Sequence, residues 1–477
     1  MKRTLFAVVA VVLVATMVLT ACGPKATPEP TKPPAQPTTP AAQPTTPPAQ
    51  PTTPPAPKEP VKIDFWYAMS GRGGDAIQEL VKRFNESQNE VFVTATYQGS
   101  YDDAITKLKA GLQSKDVPAV VQIYDIGLRL LIDLNVVKPV QDFIDAENFD
   151  VSDIEPAVRN YYTVDGRLWP MPFNTSNPVL YYNKTMFKEA GLDPEKAPRT
   201  WAEVTEAARK LTKKDASGNT VQYGCAFALY GWFVEQFIAV QGGYYVNNEN
   251  GRAARATEAT FNGPEGVKLL EWWKSMIDEG ICANLGRKTA DTKKAFDSGV
   301  VAMTLDSTAG LRDRVDAAEG KFELGVGFLP RSSEEDFKKS GTIIGGAALY
   351  ILNLRPPQEQ EAAWKFIKFM VSADSQAFWH INTGYYPINS KGYNHPDDIA
   401  WRQKYPQFQV AIDQLHAAPI NSYTAGGLIG VFPEARQTVE AALEECFSGQ
   451  ATAKEALDKA AAKVTQAIKD YNDTVAP

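Results

Sequence analysis

Histidine is nearly missing from this 477-residue chain. There are three, His380, His395 and His416, and none falls in an HExxH or other metal-ligand spacing. A GxSxG elbow, a Walker loop and a GxGxxG turn after a strand are missing too. The common nucleophilic, phosphoryl-transfer and dinucleotide chemistries therefore have no carrier, and no catalytic residue, metal or cofactor is expected. The Gly-rich GRGG at 71–74 follows a strand-like run but lacks the Lys and Ser/Thr of a phosphate loop. A tight strand-to-helix turn accounts for it. Aspartate and glutamate are plentiful, so a glycosidase pair of carboxylates stays open.

Excess positive charge is also lacking. The 49 Lys and Arg face 56 Asp and Glu, a formal net charge of −7. That excludes nucleic acid as a partner held by bulk electrostatics and leaves any phosphate affinity to a local site. Cysteine is scarce. Cys225, Cys282 and Cys446 are far apart and show no metal spacing. A disulfide within one pair and buried free thiols are both open readings.

The fourth cysteine has a different setting. Lys2 and Arg3 precede an apolar run from Leu5 to Leu19, too short for a comfortable membrane span, and small residues follow. Residues 1–21 read as an export signal. The LTAC that ends it resembles a bacterial lipobox, in which Cys22 is lipidated and becomes the mature N-terminus. An ordinary secretion signal is the plainer reading. Each buried lipid methylene contributes about 0.8 kcal/mol, so several acyl chains hold a protein on a bilayer. Residues 22–60 are mostly Pro, Thr, Ala, Gln and Lys, with AQPTTP starting at Ala35, Ala42 and Ala49. Such a segment buries no core and reaches, in polyproline II geometry, on the order of 100 Å. An extracytoplasmic, membrane-anchored protein on a tether is the expectation.

From Val61 the pattern turns globular. VKIDFWY (61–67), VFVTATY (91–97) and AVVQIYD (119–125) read as strands. Helices over 75–86, with Ile77, Leu80, Val81 and Phe84 on one face, and over 102–112 separate them. Alternating strands and helices imply a parallel sheet with right-handed crossovers. A second set follows: a strand VLYYN at 179–183, a helix over 201–213 capped by Thr200 with Glu203 three residues on, and a helix over 263–279. A strand at 300–307, a helix over 309–318 and a strand at 343–352 come next, then helices over 362–371 and 454–471. The expected class is α/β, in two lobes crossed by the chain more than once. Lobe 1 takes 61–172 and 299–352, and lobe 2 takes 173–298 and 353–477. Facing lobe edges make a cleft, a common place for a ligand.

MPFNTSNPVLYYNKTMFKEAGLDPEKAPRTWAEV (171–204) resembles a segment shared by bacterial extracellular solute-binding proteins of ABC importers, of the maltose-binding-protein class. DFWYAMSGRGGDAIQELVKRFNESQN, YQGSYDDAITKLKAGLQSKDVPAVVQIYDIG, IIGGAALYI and HINTGYYPI are most similar to the glycerol-3-phosphate-binding branch of that family. The likeness runs from about Val61 to about Tyr471. It implies a type II periplasmic-binding-protein fold that closes on ligand, no enzymatic activity, and delivery to ABC permease subunits; a monomer is expected.

The resemblance also implies a ligand-binding set. Tyr101 and Tyr385 would offer phenols, Ser176 and Ser307 hydroxyls, and Gly346 an unobstructed backbone N–H. Asp125 stands where the relatives carry Glu and would accept from glycerol hydroxyls. Arg436 would hold a phosphate through its guanidinium fork. Trp232, with Tyr230 near it, would pack on the ligand's carbon face, and which of the two aromatics faces the cleft is open. Plainer readings stand beside these: half-buried phenols, turn chemistry before Pro178, a helix cap at Asp125, a bend or bulge at Gly345–Gly346, an exposed helix charge at Arg436, and core for Trp232. The shorter Asp125 and the weakly basic TAGGLIGVFPEAR loop suit a glycerophosphodiester such as glycerophosphocholine as well as glycerol-3-phosphate. A sugar ligand, a sensor partner that feeds no importer, and a tethered glycosidase or esterase are the alternatives.

Overall fold

The computed structural model describes residues 59–475. The export signal, Cys22 and all but the last two residues of the tether lie outside them. Val61–Tyr67 buries Ile63, Phe65 and Tyr67 on one face. It pairs in parallel with Val91–Tyr97 on one side and Val120–Tyr124 on the other. Helices Gly71–Ser87 and Tyr101–Ser114 make the two crossovers. Gly345–Leu352 then joins Val120–Tyr124 antiparallel, and Met171–Ser176 and Val137–Lys138 pair with its far edge. All five residues of Val120–Tyr124 are buried, as a strand covered on both faces requires.

A second sheet runs in the order Cys282–Ala283, Thr220–Ala226, Val301–Ser307, Pro178–Asn183, Leu324–Phe328. Its first three strands are mutually parallel, and Pro178–Asn183 is antiparallel to both of its neighbours. The described residues thus form two α/β lobes, the architecture that the resemblance implies.

Asn177 is where the chain passes from one sheet to the other. Met171–Ser176 ends in the first sheet and Pro178–Asn183 begins in the second. Asn174, Thr175, Ser176 and Asn177 are all buried there. A crossing has no continuous ladder to absorb its polar groups, so short polar side chains do that work. Asn177 N–H donates to Thr308 Oγ1, its Nδ2 donates to the Ala411 carbonyl, and its carbonyl accepts from Thr308 N–H. Asn174 Oδ1 accepts from Gln122 Nε2 at 2.8 Å.

The expected lobe boundaries need correction. Val301–Ser307 and Leu324–Phe328 pair with Pro178–Asn183, so most of 299–352 belongs to the second lobe and only Gly345–Leu352 to the first. Helix Pro357–Met370 packs on Val61–Tyr67 and Ala373–Thr383 on Gly71–Ser87, which puts 357–383 in the first lobe rather than the second. Hydrophobic periodicity marks elements but carries no information on which sheet an antiparallel strand joins.

Helix Gly71–Ser87 starts four residues earlier than expected, so GRGG is its first turn rather than the turn before it. Gly71 has φ +56°, and a Cβ on Gly74 would stand 2.6 Å from the Met69 carbonyl oxygen. Thr200 and Glu203 form the anticipated capping box. Cys225 and Cys282 face each other in register on parallel strands, and Cys446 lies on helix Phe432–Phe447; all three are buried free thiols. Among the described residues no helix is long and apolar enough to cross a membrane.

Candidate functional site

A cleft of about 520 Å³ lies where the ends of both sheets meet. Tyr101, Asp125, Ser176, Trp232, Ser307, Gly346, Tyr385 and Arg436 all line it. Eight separate stretches of chain supply these eight residues, and the fold alone brings them together.

Each arrives by a local device. Ser100 caps helix Tyr101–Ser114 through a capping box with Asp103, which leaves Tyr101 as the first helical residue at the cleft. Its ring stacks on Tyr124 at 5.2 Å, and its phenol accepts from Asn174 Nδ2 at 3.0 Å. Burial and the neighbouring Tyr385 phenol push Tyr101 well above the ordinary phenol range. Gly384, at φ +108°, ends helix Ala373–Thr383 and turns Tyr385 inward against Trp379. Ser176 closes one crossing strand. Ser307 closes Val301–Ser307, and its Oγ accepts from Ala309 N–H.

Gly345 and Gly346 are required for different reasons. Gly346 has φ +102°, and a Cβ there would lie 1.8 Å from the Asn174 carbonyl oxygen. Gly345 makes room for Trp232, whose ring would be 2.5 Å from an added Cβ. The ladder also slips between Ala347 and Ala348, so the expected irregularity in this strand is present. Both Trp232 and Tyr230 line the cleft. Trp232 Nε1 is buried and has no hydrogen-bond partner among the described residues.

Arg436 is not an exposed helix charge. It is 5% exposed, on helix Phe432–Phe447, and it is held by two carboxylates. Nε donates to Glu235 Oε1 at 2.5 Å, and Nη2 donates to Glu235 Oε2 and to Asp125 Oδ2, each at 3.1 Å. The fork expected to grip a phosphate is therefore taken up by Glu235. Nη1 makes no hydrogen bond within the described residues and is the edge that remains. Burial penalises the charge on Arg436, but the two carboxylates outweigh this and hold it above the ordinary guanidinium range.

Glu235 is the residue that sequence reasoning missed. It is 3% exposed on helix Gly231–Val240, all ten residues of which are buried. Burial pushes its carboxyl up to about 7, against the opposing pull of Arg436. Asp125, 4% exposed in the turn after Val120–Tyr124, is also raised by burial, with Arg436 pulling the other way. A lone acid inside the apolar run GWFVEQFIAV was the available signal. Arg287, also at the cleft, is spoken for by Glu440 and Glu444 on the same helix as Arg436, while Lys288 is exposed at the start of helix Thr289–Asp297.

Residues 79–410 match the family model of the bacterial extracellular solute-binding proteins. The chain belongs to that family. It is one of binding proteins rather than enzymes, and no cluster of His, Cys, Asp or Glu suited to a metal exists among the described residues. This member is 33% identical over 414 residues to the sn-glycerol-3-phosphate-binding periplasmic protein UgpB of Escherichia coli K12, covering 86% of this chain and 93% of that one. The Salmonella typhi protein of the same name matches at the same identity and coverage. Among solved structures, UgpB from Mycobacterium tuberculosis in complex with glycerophosphocholine superimposes with a TM-score of 0.72 at 23% identity, covering 87% of this chain and 99% of that one. A cyclic α-maltosyl-1,6-maltose binding protein from Arthrobacter globiformis gives 0.69 at 23% identity, covering 86% and 100%.

Proposed function

We propose that this protein captures glycerol-3-phosphate or a glycerophosphodiester outside the cytoplasm and passes it, unaltered, to the permease of an ABC importer. The observation that carries the reading is the convergence of eight separately anticipated residues on one cleft, with a buried guanidinium among them. In this reading Nη1 of Arg436 meets the phosphate. Asp125, Ser176 and Ser307 meet the hydroxyls, and Trp232 and Tyr230 cover the carbon face. The unpartnered Trp232 Nε1–H is a further donor for the ligand.

Capture proceeds by closure of the lobes. Asp125 belongs to the first lobe, Glu235 and Arg436 to the second, so a ligand touching both sides favours the closed state by its differential affinity. Closing removes water, which strengthens each charged hydrogen bond and makes an unmatched hydroxyl costly. Lipidation at Cys22 and the Pro/Thr-rich segment to residue 60 would keep the lobes near the permease.

One observation favours a second reading. Two carboxylates already neutralise Arg436, and a cleft with acidic and aromatic walls suits a neutral sugar. Isothermal calorimetry with glycerol-3-phosphate, glycerophosphocholine and maltose separates the two. The expected result is saturable 1:1 heat with a phosphate ligand and none with maltose, and the reverse pattern overturns the phosphate reading. Product formation from glycosides or glycerophosphodiesters would overturn binding without turnover.

A further inference from the structure

We infer that Glu235 sets the charge specificity of the cleft, taking up a proton from solvent when a phosphate-bearing ligand settles on Arg436. The inference rests on the proposed phosphate reading. Its basis is a count of charges in a closed space. Asp125 and Glu235, both nearly buried, share the single guanidinium of Arg436. With both acids ionised the cluster carries one net negative charge. A phosphate approaching Nη1 adds at least one more, a few ångströms from both carboxylates. In a water-excluding cleft that repulsion is large; of the other cations lining the cleft, Arg287 is paired with Glu440 and Glu444 and Lys288 is exposed. Protonating one carboxylate brings the cluster, without the ligand, to net zero.

Glu235 is the acid placed to do this. Around it stand Arg436 and Glu440 from helix Phe432–Phe447, Asp125 from the turn after the third strand, and the phenols of Tyr161, Tyr230 and Tyr245. Glu440 is itself engaged by Arg287 and by the Gly231 N–H. Of these groups only Arg436 is positive and hydrogen-bonded to Glu235. Burial already holds the Glu235 carboxyl at about 7, so further negative charge moves its titration above neutrality. Asp125 keeps hydrogen bonds from its own N–H and that of Ile126, which favour its ionised form. Glu235 is not part of the cleft lining and acts through Arg436: once protonated it no longer adds the negative charge that would repel the phosphate. The cluster therefore selects against bare dianions at high pH and favours ligands whose phosphate is esterified twice.

The test is calorimetry of the mature protein at pH 7.5 with glycerophosphocholine, whose diester does not titrate near neutrality, and with glycerol-3-phosphate. Repeating each titration in buffers of low and high ionisation enthalpy counts protons. The inference expects a substantial fraction of one proton taken up per ligand. Affinity should fall as pH rises from 7 to 9, by up to about tenfold per unit. Glu235→Gln should abolish the proton uptake and flatten the glycerophosphocholine profile, while Asp125→Asn, which removes one of the two negative charges and with it part of the upward push on Glu235, should lessen the uptake. Binding with no proton uptake by the wild-type protein overturns the inference and leaves the proposed function standing. Uptake that persists undiminished in Glu235→Gln overturns the assignment to Glu235. No binding of either phosphate ligand overturns the phosphate reading itself, and this inference with it.

Discussion

Arg436 donates to Asp125 at 3.1 Å, a contact between side chains 311 positions apart. Asp125 lies in the turn after a strand of the first sheet, and Arg436 lies on a helix packed against Gly231–Val240 in the second lobe. The contact is thus a fastening between the lobes as well as part of the cleft.

Removing it has two consequences. Arg436→Ala leaves two buried carboxylates without a counter-ion, so it should cost about 3–5 kcal/mol of stability as well as ligand affinity. Urea unfolding beside calorimetry checks this. A variant of unchanged stability would mean that the acids are neutral or hydrated in solution.

The adjacent glycines predict opposite phenotypes. Gly346→Ala places a Cβ against the Asn174 carbonyl at positive φ, and should lower stability by more than about 1 kcal/mol. Gly345→Ala meets the Trp232 ring, which lines the cleft. It should weaken binding more than it destabilises. Thermal melts with and without ligand distinguish the two.

Arg72, from the GRGG turn, reaches Asp313 at 2.9 Å and Asp316 at 2.7 Å on helix Leu311–Ala318 of the other lobe. All three are well exposed, so the bridge contributes less than about 1 kcal/mol. Arg72→Ala should change ligand affinity by less than about fivefold, and the difference should vanish near 1 M salt. A larger effect that survives salt would show that Arg72 acts through packing rather than charge.

Stability should depend on pH through Glu235. Its carboxyl titrates higher in the folded protein, at about 7, than the usual 4.5. A raised acid contributes stability that is complete below the unfolded value and is lost as pH climbs through the folded one. Melting of the ligand-free protein should therefore decline between about pH 4.5 and 7 by an increment that Glu235→Gln removes. An identical pH profile in the variant would contradict it.

Much of this molecule was legible in its sequence, for reasons specific to each part. The strands at 61–67 and 91–97 and the helix over 101–114 announce themselves through period and caps, because each buries one face only. The cleft residues were found through the motifs that hold them, since Ser176 or Tyr385 alone is indistinguishable from a turn serine or a core phenol. Helix Gly231–Val240 escaped because burial on every side erases the amphipathic stripe. Glu235 escaped with it. The fold's own demand on Arg436 was hidden for the same reason: its partners come from 201 and 311 positions away, a distance no local pattern spans. Of the FNTSNP cluster, Ser176 lines the cleft. The cluster's larger task, satisfying the buried crossing at Asn177, follows only from knowing which sheet each strand joins.

The central claim is that this cleft holds a phosphate-bearing glycerol ligand intact between the lobes. A crystal structure of the mature protein grown with saturating glycerophosphocholine or glycerol-3-phosphate tests it most directly. The account predicts an uncleaved ligand in the cleft, its phosphate within about 3 Å of Arg436 Nη1 and its hydroxyls toward Asp125. An empty cleft, a cleaved ligand, or a phosphate seated away from Arg436 would contradict it.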